Sequence, residues 1–244
     1  MTTLAAGNPA QRAVERLGNR YQLREPLGSG GMGAVYRAYD QLTGHMVALK
    51  RVLRVPMQAA NSELRLALTR EFQALASLRH PHIIAVQDYG FDAQQQPYFS
   101  MELLPTARPI TEAASFLGEA AKIDLLLQLL QPLVYIHRRG IIHRDVKPGN
   151  VLLHGQTVKL VDFGLATVAG QGTPPSGTLA YMAPELLRGQ PATPAADLYA
   201  VGVLAYELLA GWHPFAHATN IVEAVLHETA DFAYLDMTPE LTAV

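Results

Sequence analysis

From Tyr21 to about Met101, apolar and polar residues alternate in short runs; beyond Pro105, apolar residues recur in long stretches at helical spacing. The first pattern predicts strands over YQLREPLGSG, AVYRAYD and HMVALKRVL, joined by glycine-containing turns, with further strands around IIAVQDYG and QPYFSMEL. One helix interrupts them. SELRLALTREFQALASLRH carries Leu64, Leu66, Leu68, Phe72, Leu75 and Leu78 at mostly helical intervals, until Pro81 forces the backbone out of helical geometry. The second pattern predicts long helices over IDLLLQLLQPLVYIHRRG and from Ala196 to Ala210, and a shorter one over NIVEAVLHE. A small sheet with one helix, followed by a helical body, is an α+β arrangement in two lobes. The expected boundaries are a flexible leader over 1–20, a first lobe over 21–104 and a second over 105–244. Ala169–Gly177, AGQGTPPSG, is rich enough in glycine and proline to predict a mobile loop.

Composition narrows the function classes. The chain has 244 residues, 49% of them hydrophobic, enough for one large domain or two lobes. Its 19 Lys and Arg against 21 Asp and Glu give a formal charge of -2, so no basic excess argues for nucleic acid or an anionic membrane. Without cysteine there is no disulfide, thiolate metal site or thiol nucleophile, in agreement with a reducing compartment. MTTLAAGNPAQRAVERLGNR lacks the basic head and apolar run of a signal peptide. The longest apolar stretch, LYAVGVLAYELLAG, is too short to cross a bilayer and contains Glu207, so it reads as a buried helix. A cytoplasmic location is the expectation.

Candidate chemistry lies in four places. LGSGGMGAVY sets Gly28, Gly30 and Gly33 in the spacing G-x-G-x-x-G, where missing Cβ atoms let backbone amides close on phosphate oxygens. The same spacing opens a dinucleotide fold, but there a helix follows the third glycine; here AVYRAYD reads as a strand. Lys50 in VALK lies on the next strand and shares a face with Ala48, toward Val35 of the preceding strand, while Val47 and Leu49 face the other way. An ammonium there can hold phosphates if a carboxylate orients it, and the helix offers Glu71, with Glu63 as a competitor. In IIHRDVKPGN, Asp145, Lys147 and Asn150 crowd one turn. In VKLVDFGLA, Asp162 ends an apolar strand, where a hard divalent cation would compensate the carboxylate. Alone, each has an ordinary reading: a glycine hairpin, a solvated lysine, a polar loop, a turn after a strand. Their order along the chain, closed by GTLAYMAPE, is what points to a common purpose.

In that order the motifs resemble those of eukaryotic-type serine/threonine protein kinases in their bacterial form, from about Tyr21 to at least Phe215. The resemblance implies a two-lobed kinase fold that binds ATP and Mg2+ and phosphorylates Ser or Thr hydroxyls of a protein substrate. It assigns Gly28, Gly30 and Gly33 to the ATP phosphates, and Lys50, oriented by Glu71, to the α- and β-phosphates. Leu27, Val35, Ala48 and Leu152 would enclose the adenine, with backbone bonds at Glu102 and Leu104 and Met101 as gatekeeper. Asp145 resembles the catalytic base, Lys147 the contact to the transferred phosphate, and Asn150 and Asp162 the magnesium ligands. Lys147 together with Thr178 resembles the Ser/Thr class, and Thr178 is expected to serve the active site. Arg144 marks the type controlled by activation-loop phosphorylation, for which Thr173 and Ser176 are the candidate autophosphorylation sites. Asp197 would brace the catalytic-loop backbone. His143 and Phe163, with Leu75 and Val86, would form a packed spine, which favours a core role for His143.

The family pattern continues past WHPF with more helices and an arginine that pairs with Glu185, so the sequence reads as a C-lobe lacking its last helices, the kinase part of a longer bacterial signalling protein. A buried, unpaired Glu185 would make the fragment weakly stable, by several kcal/mol on the usual order. The alternative is a catalytically weak or inactive nucleotide-binding module, which predicts loss of Lys50, Asp145, Asn150 or Asp162; all are present. A small-molecule kinase of the aminoglycoside or choline type usually lacks the equivalents of Lys147 and of Ala183-Pro184-Glu185, both found here.

Overall fold

A computed structural model describes residues 15–30, 33–52, 72–73, 75–162 and 179–231. The chain divides into two compact units, Met1–Ala60 with Val86–Leu103, and Asn61–Ala85 with Leu104–Val244.

The first unit is one antiparallel sheet of β1 (Arg16–Leu17), β2 (Tyr21–Gly30), β3 (Gly33–Asp40), β4 (His45–Val52), β5 (Val86–Phe91) and β6 (Pro97–Met101), in the order β1-β2-β3-β4-β6-β5. Alternation decides its faces: Leu17, Tyr21, Leu23, Ala38, Val47 and Leu49 are buried together, with Tyr36 and Tyr98 packed against them. Pro26 sits in β2 beyond the two residues that pair with β1, and the β2–β3 register shifts on either side of it. Of the leader expected over 1–20, residues 15–20 are described and include a strand. Arg16 and Leu17 pair with Gln22 and Tyr21, because Leu17, only 2% exposed, completes the apolar face. Gly18 makes the turn at φ +58°, a conformation that disfavours any Cβ.

Ion pairs tie the strands of this unit together. Arg20 makes a two-pronged contact with Asp40, at 2.8 Å on each arm, and also reaches Asp88. The guanidinium holds the Asp40 carboxyl down at about 2. Arg51 donates to Asp92 at 2.7 and 2.9 Å and to Glu15 at 2.8 Å, while the other Asp92 oxygen accepts the amides of Gln94 and Gln96.

The second unit is mostly helical: α1 (Ile110–Ala113), α2 (Glu119–His137), α3 (Pro184–Leu187), α4 (Pro194–Ala210) and α5 (Ile221–His227), with a small sheet of β7 (Arg108–Pro109), β8 (Val151–His154) and β9 (Thr157–Leu160). Leu125, Leu129, Leu133 and Ile136 form the buried stripe of α2. Helix α4 starts on Pro194, whose missing N–H would be unpaired there in any case, and stops at Gly211 with φ +88°. The strand expected around IIAVQDYG is shorter than the apolar run, since Ile83 bridges to Leu160 and Ile84 donates to the Leu160 carbonyl within the second unit. The predicted helix before Pro81 is described only in part; Phe72, Leu75 and Leu78 of its apolar set are buried.

Candidate active site

The catalytic-loop candidates are held by a hub one helix away. Asp197, in the first turn of α4 and 1% exposed, accepts the backbone amides of His143 and Arg144 at 2.8 Å each. Its Oδ2 also meets His137 Nε2 at 2.8 Å. These bonds satisfy a carboxylate that burial would otherwise penalise. They also hold Arg144 at φ +67°, left-handed for a residue with a Cβ.

His143 is fully buried and acts as a spacer inside the loop. Its Nδ1 accepts from the Asp145 amide at 3.3 Å and its Nε2 lies 3.1 Å from the Val161 carbonyl, so Nε2 carries the proton. Burial pushes its pKa down, consistent with that neutral ring. The core role expected for His143 is the one its surroundings allow, and the ring links the loop to the strand that leads to Asp162.

Asp145, Lys147 and Asn150 then converge. Lys147 Nζ donates to Asp145 Oδ1 at 2.9 Å, and Asn150 Nδ2 donates to Asp145 Oδ2 at 2.7 Å and to its carbonyl at 2.8 Å. The short 3-10 turn Pro148–Asn150 brings the amide back over the aspartate, and the Asn150 amide nitrogen bonds to Lys147 O. Both Asp145 oxygens are thus oriented by local donors. With Asn150 Nδ2 spent on Asp145, its Oδ1 is left to accept. Asp162, two residues past β9, has φ +57°, a second left-handed non-glycine position beside the loop.

The first unit presents the other candidates. Gly30 pairs with Gly33 at the closure of the β2–β3 hairpin, Gly28 lies opposite Val35, and Gly33 has φ +149°, a value that suits glycine. No helix follows: β3 starts at Gly33, which removes the dinucleotide-fold reading. Lys50 lies directly opposite Val35, as the alternation predicts, and is 7% exposed. Ala48, also buried, pairs with Met101 on β6. Leu27 is half exposed, and Glu102 follows Met101 at the end of the unit. Leu104 and Leu152 belong to the second unit, Leu152 on β8. Glu71, Phe163, Thr173, Ser176 and Thr178 lie outside the described residues, as does the whole of the loop Ala169–Gly177. Glu185 is half-buried, which reduces the instability attached to it in the sequence.

Sequence reasoning passes over His137, whose only signal is a histidine in the last turn of a helix, and over the set that fastens GTLAYMAPE to α4. There the Tyr181 hydroxyl donates to Glu207, and burial together with that carboxylate pushes the phenol pKa up.

Comparison with known proteins gives the family. The model of the protein kinase domain matches residues 21–242. The chain is 37% identical over 248 residues to a probable serine/threonine-protein kinase of Streptomyces coelicolor, covering 94% of this chain and 36% of that one. It is 36% identical to the serine/threonine-protein kinase PknB of Mycolicibacterium smegmatis, with 94% and 39% covered, and 33% identical to PrkC of Bacillus subtilis, with 89% and 34% covered. The chain therefore spans roughly a third of the length of these curated relatives. Among solved structures, the kinase domain of Mycobacterium tuberculosis PknI is similar at a TM-score of 0.66 and 31% identity, with 86% of this chain and 81% of that one covered. With the aspartate–lysine–asparagine loop braced from α4, a lysine on the third long strand and a family match over nearly the whole described chain, the protein belongs to the protein kinase family.

Proposed function

We propose that this chain is an ATP-dependent serine/threonine protein kinase, the catalytic part of a longer bacterial signalling protein working in the cytoplasm. The observation that carries the reading is the Asp145 carboxylate, gripped by Lys147 and Asn150 on a backbone that Asp197 fixes. Phosphoryl transfer asks for placement and charge neutralisation more than for covalent chemistry, and this loop supplies both. The substrate hydroxyl oxygen forms a bond to the γ-phosphorus as the bond to the bridging oxygen of the departing ADP breaks. Asp145 takes the hydroxyl proton, and Lys147 steadies charge on the transferred group.

Asn150 and Asp162 suit magnesium as a donor set: both are hard oxygen ligands, and Asn150 has its nitrogen turned toward Asp145. Bound there with ATP, the ion would neutralise phosphate charge. Lys50, oriented by Glu71, holds the α- and β-phosphates under the Gly28, Gly30 and Gly33 hairpin. Leu27, Val35, Ala48, Met101 and Leu152 enclose the base, with Glu102 and Leu104 as its backbone partners. Thr178 supports the loop, and Thr173 or Ser176 takes the autophosphate. No helix among the described residues is long and apolar enough to cross a membrane.

The test is incubation with labelled ATP and a generic basic protein, with and without EDTA, followed by acid hydrolysis of the product. Phosphoserine and phosphothreonine that appear only with free Mg2+ support the proposal. Phosphotyrosine alone, or no transfer with Mg2+ present, removes it.

A further inference from the structure

The turn over 79–82 leads into a strip of backbone that joins β9 from the side. The His82 carbonyl accepts the Leu160 amide at 2.8 Å, the Ile84 amide donates to the Leu160 carbonyl at 3.0 Å, and Ile83, 3% exposed, bridges to Leu160 in parallel. The next residue carries this support onward. The Val161 amide donates to the Asn150 carbonyl at 2.9 Å, and the Val161 carbonyl accepts from His143 Nε2 at 3.1 Å. A short run of hydrogen bonds therefore connects the turn to the loop that holds Asp145.

Two amides of the turn find side-chain acceptors, and only one of these acceptors titrates near neutral pH. The Arg79 amide donates to the Tyr135 hydroxyl on α2 at 3.1 Å, and the His82 amide donates to His80 Nδ1 at 3.2 Å, so the His80 proton sits on Nε2. His82 has the opposite tautomer: its Nδ1 lies 2.9 Å from the Val158 carbonyl and must donate. The two rings thus answer acid differently. A proton added to His82 goes to Nε2 and keeps the Val158 bond; a proton added to His80 can go only to Nδ1, where it displaces the His82 amide.

The setting of His80 disfavours that charge. The ring is half-buried, with its centroid 5.1 Å from Tyr135 and 5.6 Å from His82. The Arg139 guanidinium covers the Tyr135 ring at 3.7 Å, and Arg79 adjoins His80 in the chain. On β9, Val158 and Leu160 are buried and Lys159 between them is turned to the other face. His82, Tyr135, Arg139 and Arg79 are the titratable and charged groups around the ring, and none of them is an acid that would offset an imidazolium. Burial first, and then His82, push the His80 pKa below the usual histidine range.

We propose that the turn over 79–82 is an acid-sensitive latch on the catalytic loop: a proton on His80 Nδ1 frees the His82 amide, loosens the strip over 82–84 from β9, and so lowers phosphoryl transfer below neutral pH. The latch stands on the turn and the strand alone, and its effect on transfer rests on the kinase reading.

Asparagine separates titration from packing. In His80→Asn the carboxamide oxygen replaces Nδ1 as acceptor and takes up no proton in this range; in His80→Ala no acceptor is left. Hydrogen exchange of the whole chain is followed by NMR at the amides of His82, Ile84 and Leu160 from about pH 7 to about pH 5, the span in which a histidine titrates, and is expressed as protection relative to an unstructured peptide. Transfer to myelin basic protein is measured over the same span. Exchange reads the latch even in a chain that transfers nothing, and transfer reads the kinase assignment.

Protection should fall about tenfold in the parent as pH is lowered, the scale of one donor left unpaired, stay within about twofold in His80→Asn, and be low throughout in His80→Ala. His82→Asn, which keeps a donor to Val158 and removes the neighbouring charge, should move the midpoint of the fall to higher pH. Where transfer is present, its rate should carry an acid limb with the parent's exchange midpoint, and His80→Asn should lack that limb. If the alanine variant does not fold, the parent decides, since its loss of protection should share a midpoint with the His80 ring resonance. Unchanged protection in the parent, an equal loss in His80→Asn, a midpoint apart from that of the His80 ring, or transfer by the parent without the shared limb would overturn the proposal.

Discussion

Lys50 and Asp145 reach their places by opposite means. Lys50 stands where it does because of a strand register: Val35 lies across from it, and Val47 and Leu49 take the opposite face, in the apolar cluster of the sheet. Asp145 sits in a loop without a ladder, and its place is set by named bonds from Asp197, His143, Lys147 and Asn150. A residue on a strand inherits its geometry from alternation that many side chains share. A residue in a loop depends on a few polar contacts, each of which can be removed singly. The two regions should therefore respond differently to substitution, one through its sheet and the other through single atoms.

The largest effect is expected at the base itself. Asp145→Asn should lower transfer by roughly a hundredfold or more, the range of a lost general base, with little change in the melting temperature, as thermal denaturation beside a transfer assay would report. Asp197→Ala should follow in activity and exceed it in stability. It strands the buried His143 amide, the part-buried Arg144 amide and the His137 contact, a loss of about 3 kcal/mol, measurable as a lower urea midpoint. If Asp197→Ala kept the parent's midpoint, the loop would not depend on its hub.

On the sheet side, Leu17→Ala should cost about 2 kcal/mol, the low end for a buried leucine, because β1 is a two-residue edge strand. The same variant should leave the KM for ATP near that of the parent. A smaller and pH-dependent effect comes from Asp40. Its carboxyl titrates near 3.8 when unfolded and at about 2 when folded, so its contribution is complete above the unfolded value and is lost as pH falls through the folded one. The difference is about 2 kcal/mol, and Arg20→Ala should flatten acid unfolding between those two values while leaving the neutral-to-alkaline part of the curve parallel to the parent's.

The same contrast explains what the sequence made legible. Strand positions, the hairpin glycines and the face shared by Ala48 and Lys50 follow from alternation, which is local, and the structure places them as the pattern predicts. The aspartate, lysine and asparagine of the loop were legible as a group because they lie within six residues of one another. Contacts that join distant segments were not. His137 and Asp197 are sixty residues apart, and nothing in the spacing of either announces the other. Leu17 looked like part of a leader because two residues are too few to show a period, yet a single buried leucine was enough to anchor them. The strand over IIAVQDYG was overextended for a related reason, since apolar character alone does not distinguish a sheet partner from the bridge that Ile83 makes to Leu160.

The central claim is that Asp145 performs proton transfer in a loop built for it. Single-turnover transfer of labelled γ-phosphate from Mg2+-ATP should be compared in the parent and Asp145→Asn, with ATP affinity measured on both. The account predicts transfer in the parent, loss of about a hundredfold or more in the variant, and equal ATP affinity. Transfer at the parent's rate by Asp145→Asn would contradict it.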